Sequence, residues 1–239
     1  MILKNCRMFI IREDLLQNPD FRKLRTFWQI DMKLYIADTH FYAEKLNTEL
    51  DNRGFPSVEE MNEYMIEKWN NKVRGGDVII VLGDFIHTDE PKKINYILHK
   101  LKGKICLIQG NHDYIWMNKP GVDMDRFEWI KPYAEIDDHK TSVILSHYPT
   151  FCYNHQYQLK SDGSPQTYML YGHVHNSHDE QLVNSFQEQT RKFIVKNRKG
   201  IEHPIPCNMI NCFCMFSDYT PLPLKEWIRI DAKRRKLLK

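Results

Sequence analysis

Side chains with the chemistry of metal ligands follow five apolar segments of the sequence. They occur in the stretches "ADTHF", "LGDF", "GNHD", "SHYP" and "YGHVH". The residues are Asp38, His40, Asp84, Asn111, His147, His173 and His175. Imidazoles and carboxylates with one amide oxygen are suitable ligands for Mn, Fe, Zn, Co or Ni. Because seven ligands exceed the needs of one ion, the set predicts two divalent ions that share one bridging carboxylate.

Each of these motifs is a weak signal when it is taken alone. A single histidine beside an apolar strand is more often a core or surface residue than a ligand. The ordered set is much more specific, because every member follows a segment that is predicted to be a strand. Ligands of α/β proteins bind beyond the carboxyl ends of strands, so the sequence predicts a metal site at that edge of the fold.

Alternating apolar strands and amphipathic helices predict an α/β fold. Strands are expected in the segments "KLYIA", "DVIIVLGD", "KICLIQ", "TSVILSH", "QTYMLYGHVH" and "CNMINCFCMF". One helix is expected to begin at Ser57, which forms a capping box with Glu60. Further helices are predicted for "DEPKKINYILHKL", for residues 179–198 and for the segment that begins near Leu224.

Length and composition favour one folded domain. The chain has 239 residues, 42% of them hydrophobic, and a net charge of +3, which is a suitable size for a large single core. It lacks the roughly 20 consecutive apolar residues of a membrane helix, so we expect a cytoplasmic protein without a membrane partner. Residues 1–31 do not fit the alternating pattern and are expected to be an N-terminal extension or an over-extended start. The domain is then 32–239, including a basic tail that is typical of a solvated terminus.

The cysteines of the C-terminal half invite a comparison with zinc sites. Cys207, Cys212 and Cys214 have the spacing C-x4-C-x-C, which does not match the common zinc patterns and lacks an evident fourth ligand. The alternation in "CFCMF" favours a strand that buries small thiols. The cysteines are therefore predicted to be reduced and structural.

The ordered motifs resemble those of the calcineurin-like metallophosphoesterase superfamily, in particular its small stand-alone bacterial or phage members, over roughly residues 32–230. The resemblance implies a four-layer α-β-β-α sandwich with two mixed sheets and a metal site at the carboxyl ends of the strands. It also implies hydrolysis of phosphate mono- or diesters by a hydroxide that bridges two metal ions.

Site roles follow from the same resemblance, one matching residue at a time. The first ion would be held by Asp38, His40 and His175, and the second by Asn111, His147 and His173, with Asp84 as the bridge. His112 would act on the substrate phosphoryl group as a catalytic residue. Asp113 would orient the His112 imidazole through a hydrogen bond.

Substrate choice is less well defined by the sequence. The segment after the second motif is "GDFIHTDEP", without the Asp-Arg-Gly continuation of family protein phosphatases, and Asp113 stands where those enzymes carry Glu. We therefore expect a small phosphate ester rather than a phosphoprotein. His87 either contacts the substrate or faces solvent. Tyr153, His155 and Tyr157 in the loop 151–167 either contact the leaving group or belong to an ordinary polar connection.

Other functions on the same scaffold remain open at this point. One is a nuclease or a cyclic-nucleotide phosphodiesterase, although the mild charge does not indicate a nucleic acid partner. The other is a metal-binding protein that serves as an interaction scaffold without catalysis. Retention of His112 and of all seven ligands favours an enzyme. The sequence makes no prediction of the oligomeric state.

Overall fold

The computed structural model of the protein describes residues 31–197 and 199–237, so the predicted N-terminal extension lies outside the described residues except for Asp31. The strands are β1 (Lys33–Ile36), β2 (Val78–Val81), β3 (Lys104–Ile108), β4 (Phe127–Lys131), β5 (Tyr133–Asp138), β6 (Thr141–Ser146), β7 (Thr167–Tyr171), β8 (Ile194–Lys196), β9 (Glu202–Pro204) and β10 (Met209–Asn211). The helices are α1 (Val58–Lys72), α2 (Pro91–Lys100), α3 (Tyr114–Met117), α4 (His178–Thr190) and α5 (Leu224–Leu237). A π-helical turn at Leu46–Leu50 and 3-10 turns at Met124–Arg126 and Cys214–Ser217 complete the description.

The strands form several sheets in a mixed α/β fold. The first sheet has the order β1-β2-β3-β4 and is parallel throughout. The second has the order β10-β7-β6-β5 and is mixed, because β5 runs antiparallel to β6. The prediction of two mixed sheets is therefore wrong for the first sheet. Its connections from β1 to β2 and from β2 to β3 contain α1 and α2, and such crossovers join parallel strands.

Two segments differ from their predicted secondary structure. The helix expected over 179–198 ends at Thr190. The last part of that segment forms β8, which pairs with β9 in a small antiparallel sheet. β-branched residues at Ile194 and Val195 favour the extended conformation there. The strand expected in "CNMINCFCMF" is shorter than predicted and is followed by the 3-10 turn Cys214–Ser217. The helix boundary near Leu224 and the cap at Ser57, which accepts a hydrogen bond from the Glu60 amide, are confirmed.

Within the part of the chain that the structure describes, three apolar clusters form the core. The first joins one face of the first sheet to α1 and α2, with Met65, Trp69 and Ile97 packed near Ile79 and Leu107. Successive residues of β1 alternate between clusters, as the pleat of a strand requires: Leu34 and Ile36 lie in this cluster and Tyr35 in the next. The first sheet is thus buried on both faces, which is usual for a parallel sheet.

The other two clusters involve the second sheet. Ile80 of the first sheet shares a cluster with Leu145 and Leu170 of the second, and Trp227 of α5 belongs to it as well. The opposite face of the second sheet packs against α4, where Val183 joins a cluster with residues of β6, β7 and β10. Each of the two larger sheets therefore contributes one face to a shared core and the other to a core with helices.

The three cysteines that are predicted to be structural are divided among these cores. Cys207, Cys212 and Cys214 are buried, and each belongs to a different apolar cluster. Three thiols that lie in three separate cores do not converge on one cation. Their structural interpretation fits this placement, and the cysteines among the described residues are free of disulfides.

The two larger sheets meet at the end of β1. The Ala37 amide donates to the Cys212 carbonyl (2.8 Å), and the Cys214 amide donates to the Ala37 carbonyl (3.0 Å). The carboxyl end of the first sheet therefore lies beside the end of β10, close to the carboxyl ends of β6 and β7. Among the described helices, none is long and apolar enough to cross a membrane.

Candidate metal centre

The predicted ligands follow the strands whose carboxyl ends meet. Asp38, Asp84 and Asn111 come after β1, β2 and β3, which are neighbours in the parallel sheet. His147 and His173 come after β6 and β7, which are parallel neighbours in the second sheet. Strand direction alone thus brings residues that are far apart in sequence to one edge.

The seven predicted residues converge into two adjoining groups. In the first group, Asp38, His40 and His175 each offer one donor atom, and these atoms lie within 4.8 Å of one another. Asp84, His147 and His173 form a second group with the same spacing. Either group has enough carboxylate and imidazole donors to hold a divalent ion.

Asn111 and Asp84 connect these groups. The Asn111 Oδ1 atom lies 2.9 Å from His147 Nε2 and 2.9 Å from His173 Nδ1, so the amide oxygen adds a donor to the second group. The Asp84 Oδ2 atom lies 3.4 Å from His147 Nε2 and 3.4 Å from His40 Nε2. The Asp84 carboxylate therefore stands between the two groups, where a bridging ligand is expected.

His40 supplies a direct test of whether these residues fit a cation. Its side chain is buried, and both ring nitrogens lack a hydrogen-bond partner. A buried polar atom without a partner costs free energy. Coordination of a cation removes that cost at one nitrogen, so the residues present fit a metal site.

Most of the predicted ligands are in the protonation state that binds a metal ion. Burial lowers the pKa of His40 well below its ordinary value and also lowers the pKa of His173, so both imidazoles are neutral. Burial acts to raise the pKa of Asp84, but hydrogen bonding with His147 and nearby positive charge hold it below its usual range. Burial raises the pKa of Asp38 to about 6, which leaves it ionised at neutral pH. Ionised carboxylates and neutral imidazoles are the forms that bind metal.

The other two imidazoles differ: burial acts to lower the pKa of His175, but hydrogen bonding with Asp51 raises it, and His147 behaves in the same way. Burial acts to lower its pKa, but hydrogen bonding with Asp84 and the charge of Asp38 raise it to about 9. A proton on His147 is thus held by the same carboxylates that would hold a cation. Because a ligating histidine must be neutral, we expect proton release when the second group binds its ion.

Backbone strain is concentrated at the predicted ligands. Left-handed φ values occur at Asp38 (54°), His40 (45°), Asp84 (53°), His173 (71°) and His175 (48°). Residues other than glycine adopt this region rarely, and each such position costs about 1–3 kcal/mol. Strain of this kind is found at functional sites, where it holds side chains in positions that relaxed strands would not provide.

Two glycines of the motifs allow the ligands to approach closely. A Cβ atom at Gly110 would lie 2.2 Å from Asp84 Oδ1, and one at Gly172 would lie 2.6 Å from Asp38 Oδ2. Real Cβ atoms do not come so near to another atom, so a side chain at either position would displace a carboxylate of the site. The glycines of "GNHD" and "GHVH" are therefore needed to pack one ligand segment against the next.

The structure contradicts the predicted role of Asp113. Its carboxylate is fully buried and does not orient His112. One oxygen accepts hydrogen bonds from the amides of Asp84 (2.9 Å) and Gly110 (2.8 Å). The other accepts from the Phe85 amide (2.9 Å) and the Trp116 indole (3.2 Å). Because four donors saturate a carboxylate, Asp113 shapes the loops that carry the ligands instead.

His112 and His87 lie together beside the ligand groups. The centroid of the His112 ring is 5.3 Å from that of His40 and 5.2 Å from that of His87. The His112 amide donates to Asp84 Oδ1 (2.8 Å), and the residue is partly exposed. Of the two interpretations of His87, the geometry favours the one that places it at the site.

The loop 151–167 does not bring its aromatic residues and histidine to this centre. Tyr153 is buried in the apolar cluster beneath the second sheet, and its hydroxyl is hydrogen-bonded to Asn208. His155 and Tyr157 line a groove formed with β8 and β9, whose walls include none of the predicted ligands. The proposal that these three residues contact a leaving group is therefore not supported.

Three residues near the site had not been identified from the sequence. Tyr148 lies with its ring centroid 4.5 Å from that of His173, and its side chain is 49% exposed. Its position directly after His147 in "SHYP" was the available signal. Asp51 and Arg53 form a buried ion pair that contacts the first group through His175. They lie in an irregular segment without a recognisable motif.

Comparison with known proteins agrees with the geometry. The fold and the paired donor groups define an α/β protein with a candidate site for two cations. The model of the calcineurin-like phosphoesterase superfamily domain matches residues 32–192. The chain belongs to this family, which confirms the resemblance inferred from the motifs.

Two similar proteins cover most of this chain, but neither has an assigned activity. The chain is 33% identical over 203 residues to the uncharacterized protein MJ1445 of Methanocaldococcus jannaschii, covering 84% of this chain and 92% of that protein. It also resembles the crystal structure of the protein of unknown function AQ665 from Aquifex aeolicus, with a TM-score of 0.55 and 22% identity. That likeness covers 84% of this chain and all of the other, and at this identity it shows the fold alone.

Proposed function

We propose that this protein is a metal-dependent phosphoesterase that hydrolyses small phosphate mono- or diesters at a binuclear centre. Asp38, His40 and His175 hold one divalent cation, which is Mn, Fe, Zn, Co or Ni. Asn111, His147 and His173 hold the second, and Asp84 is shared. Family membership over residues 32–192 and the two donor groups support the proposal. The proposal includes a four-layer α-β-β-α sandwich. The three apolar clusters support it, because one lies between the two larger sheets and the other two lie between a sheet and helices.

The position of Asp84 carries the argument. Its Oδ2 atom is 3.4 Å from one imidazole nitrogen of each donor group. A single carboxylate in that position could be shared by two cations, and two neighbouring cations would be suited to an in-line displacement at phosphorus. Two independent sites for single ions would not need a shared ligand.

The chain's own residues account for the remaining parts of the reaction. When bound, the two cations would supply a deprotonated water and neutralise charge on the phosphoryl oxygens. His112 lies beside the first group without belonging to it, so its imidazole donates a hydrogen bond to the phosphoryl group or a proton to the leaving oxygen. His87 and Tyr148 border the site on either side of the ligands and are positioned to contact the ester.

Turnover of simple esters provides the direct test. Purified protein is freed of metal, reconstituted separately with Mn²⁺, Fe²⁺, Zn²⁺, Co²⁺ or Ni²⁺, and assayed on bis(p-nitrophenyl) phosphate, p-nitrophenyl phosphate and a cyclic nucleotide. We expect two ions per chain by elemental analysis and metal-dependent hydrolysis of at least one ester. Two bound ions without hydrolysis would favour the interaction scaffold, and failure to bind any of these ions would refute the binuclear centre.

The substitution Asp84→Asn tests the shared carboxylate. We expect it to lower the occupancy of both ions and to reduce turnover by about 100-fold or more, since even residues behind the ligands contribute 10–100-fold. Metal content by elemental analysis and initial rates are measured together. Asp162→Asn, an exposed carboxylate in the loop 151–167, is the matched control and should change neither. Full occupancy and full rate in Asp84→Asn would show that the bridging assignment is wrong.

A further inference from the structure

Asp51 and Arg53 form an ion pair that is buried behind the first donor group and lies outside the sequence motifs. The Asp51 Oδ1 atom lies 2.7 Å from His175 Nδ1, and the Asp51 side chain is only 6% exposed. The other ring nitrogen of His175, Nε2, faces Asp38 Oδ1 at 3.9 Å. A carboxylate accepts but does not donate, so in the neutral ring the proton lies on Nδ1 and the lone pair of Nε2 is directed at the donor group.

Packing restricts the His175 ring further. The ring of Phe213 stacks on the imidazole with centroids 4.6 Å apart and planes 19° from parallel. The hydrogen bond to Asp51 fixes the direction of the ring nitrogens, and the stacked phenyl ring limits tilting of the imidazole plane. His175 is therefore held in one tautomer and one orientation by Asp51 and Phe213, which are not members of either donor group.

Arg53 extends the same contact network to the backbone of the other ligands. Its side chain is completely buried, and its Nε and Nη2 atoms donate to Asp51 Oδ2 at 3.0 Å and 2.9 Å. Nη1 donates to the Thr39 carbonyl (2.7 Å) and Nη2 to the Asp38 carbonyl (3.0 Å). These carbonyls belong to the segment in which Asp38 and His40 adopt left-handed backbone conformations.

We propose that Asp51 and Arg53 are positioning residues for the first cation, an inference that rests on the proposed function. The pair contacts His175 directly and holds the backbone that carries Asp38 and His40. It thereby serves all three residues of the first donor group. The second group is oriented by other contacts, such as the hydrogen bond between His147 Nδ1 and the Leu82 carbonyl (2.8 Å). The pair should therefore affect the two cations unequally.

Stepwise metal binding measures this inequality. Zn²⁺ is titrated into metal-free wild-type protein and into the isosteric variant Asp51→Asn by calorimetry, with stoichiometry checked by elemental analysis. We expect one of the two association constants to fall about 10–100-fold in the variant, the usual effect of removing a carboxylate behind a ligating histidine. The other constant should stay close to the wild-type value. Glu226→Gln, which removes a carboxylate paired with Lys72 away from the site, is the control and should leave both unchanged.

Turnover at high metal concentration distinguishes an effect on the first cation from a loss of structure in the whole site. If Asp51 acts only through the first cation, excess Mn²⁺ restores the turnover number of Asp51→Asn towards the wild-type value. A rate that stays low when both ions are bound overturns the proposal. Equal weakening of both association constants also overturns it, because the pair would then support the whole site rather than one ion.

A measurement on the wild-type protein keeps the inference testable if the variant does not fold. Long-range ¹H–¹⁵N spectra of the zinc-loaded protein report which nitrogen of His175 carries the proton. We expect the proton on Nδ1, and a proton on Nε2 would refute the role of Asp51. A wild-type protein that binds none of the divalent ions Mn²⁺, Fe²⁺, Zn²⁺, Co²⁺ and Ni²⁺ would instead refute the proposed function, so the two failures are distinguishable.

Discussion

His112 differs from the neighbouring histidines in the contacts of its side chain. His40, His147, His173 and His175 each belong to one of the two donor groups, whereas the His112 ring lies beside them. The connection between His112 and the ligands runs through its backbone amide, which donates to Asp84. This placement supports the proposal that the His112 imidazole acts on the substrate rather than on a cation.

Replacement of His112 by alanine should separate turnover from metal binding. We expect His112→Ala to keep both ions and to reduce turnover by roughly 10²–10⁴-fold, the range for loss of a general acid or base. Elemental analysis and initial rates on the best ester found for the wild type provide the measurement.

The control for this experiment is an exposed histidine away from the centre. His99 lies on α2 and contacts Asp123 at the surface, so His99→Ala should change neither metal content nor rate. Parallel loss of metal and activity in His112→Ala would contradict its assignment to the substrate and would place it among the ligands.

At the scale of the elements, Asp113 ties the ends of two strands together. Its carboxylate binds the amides of Asp84 and Phe85, which follow β2, and the amide of Gly110, which follows β3. The indole of Trp116 on α3 supplies the fourth hydrogen bond. One buried side chain thus fixes two of the loops from which the ligands project.

The variant Asp113→Asn should weaken the fold and the metal site together. In asparagine, an NH2 group replaces one of the two accepting oxygens. It cannot accept a hydrogen bond from the N–H groups that face it, so at least one backbone amide loses its partner. Because a buried unsatisfied group costs about 1–3 kcal/mol, we expect a decrease of that size in the free energy of unfolding. Urea unfolding of the metal-free protein is the measurement.

Asp125→Asn, an exposed carboxylate in the 3-10 turn Met124–Arg126, serves as the control and should leave stability unchanged. A variant of Asp113 with wild-type stability but a large loss of turnover would restore the original prediction that Asp113 orients His112. The two outcomes are distinct, since one hydrogen bond to the partly exposed His112 contributes less to the free energy of unfolding than the four buried hydrogen bonds of Asp113.

At the scale of the whole molecule, the three apolar clusters determine which thiols are accessible. Burial raises the pKa of Cys106 and of Cys214 to about 12, and it also raises the pKa of Cys207 and of Cys212. A raised pKa reduces the thiolate fraction at pH 8, and the thiolate is the form that reacts. Cys152, by contrast, is exposed.

Alkylation with iodoacetamide tests this distribution of thiols. In a Cys6→Ser background, we expect one fast-reacting thiol at pH 8, Cys152, and four that react only after unfolding, as peptide mass spectrometry would reveal. Unfolding without metal should be sufficient to expose all four. If Cys207, Cys212 and Cys214 were protected together by zinc and released together by a chelator, the structural interpretation would be wrong.

Two of the site residues show how far sequence reasoning extends. Asp38 and His175 were identified because their motifs follow apolar strands, and strand direction places the ends of parallel strands at one edge. The spacing of D-x-H and G-H-x-H was therefore sufficient to select the ligands. The same reasoning predicted an α/β fold, the cap at Ser57 and the helix that begins at Leu224, because these features depend on local pattern.

Contacts between distant segments were not accessible in this way. Asp113 is adjacent to His112 in sequence, yet its carboxylate turns away from that imidazole to bind backbone amides. Asp51 and Arg53 lie in a segment without periodicity, and their importance comes from reaching His175, 124 residues from Asp51. Tyr153 was expected in a polar loop near the site, but packing beneath the second sheet buries it.

The sequence by itself determined the family, the kind of fold and the set of donor atoms, because apolar periodicity and motif order are local properties of the chain. The tertiary structure decided which donors share a group, that Asp84 lies between the groups, and which side chains hold the ligands from behind. Those features depend on distances of a few ångströms between segments that only the packed sheets bring together.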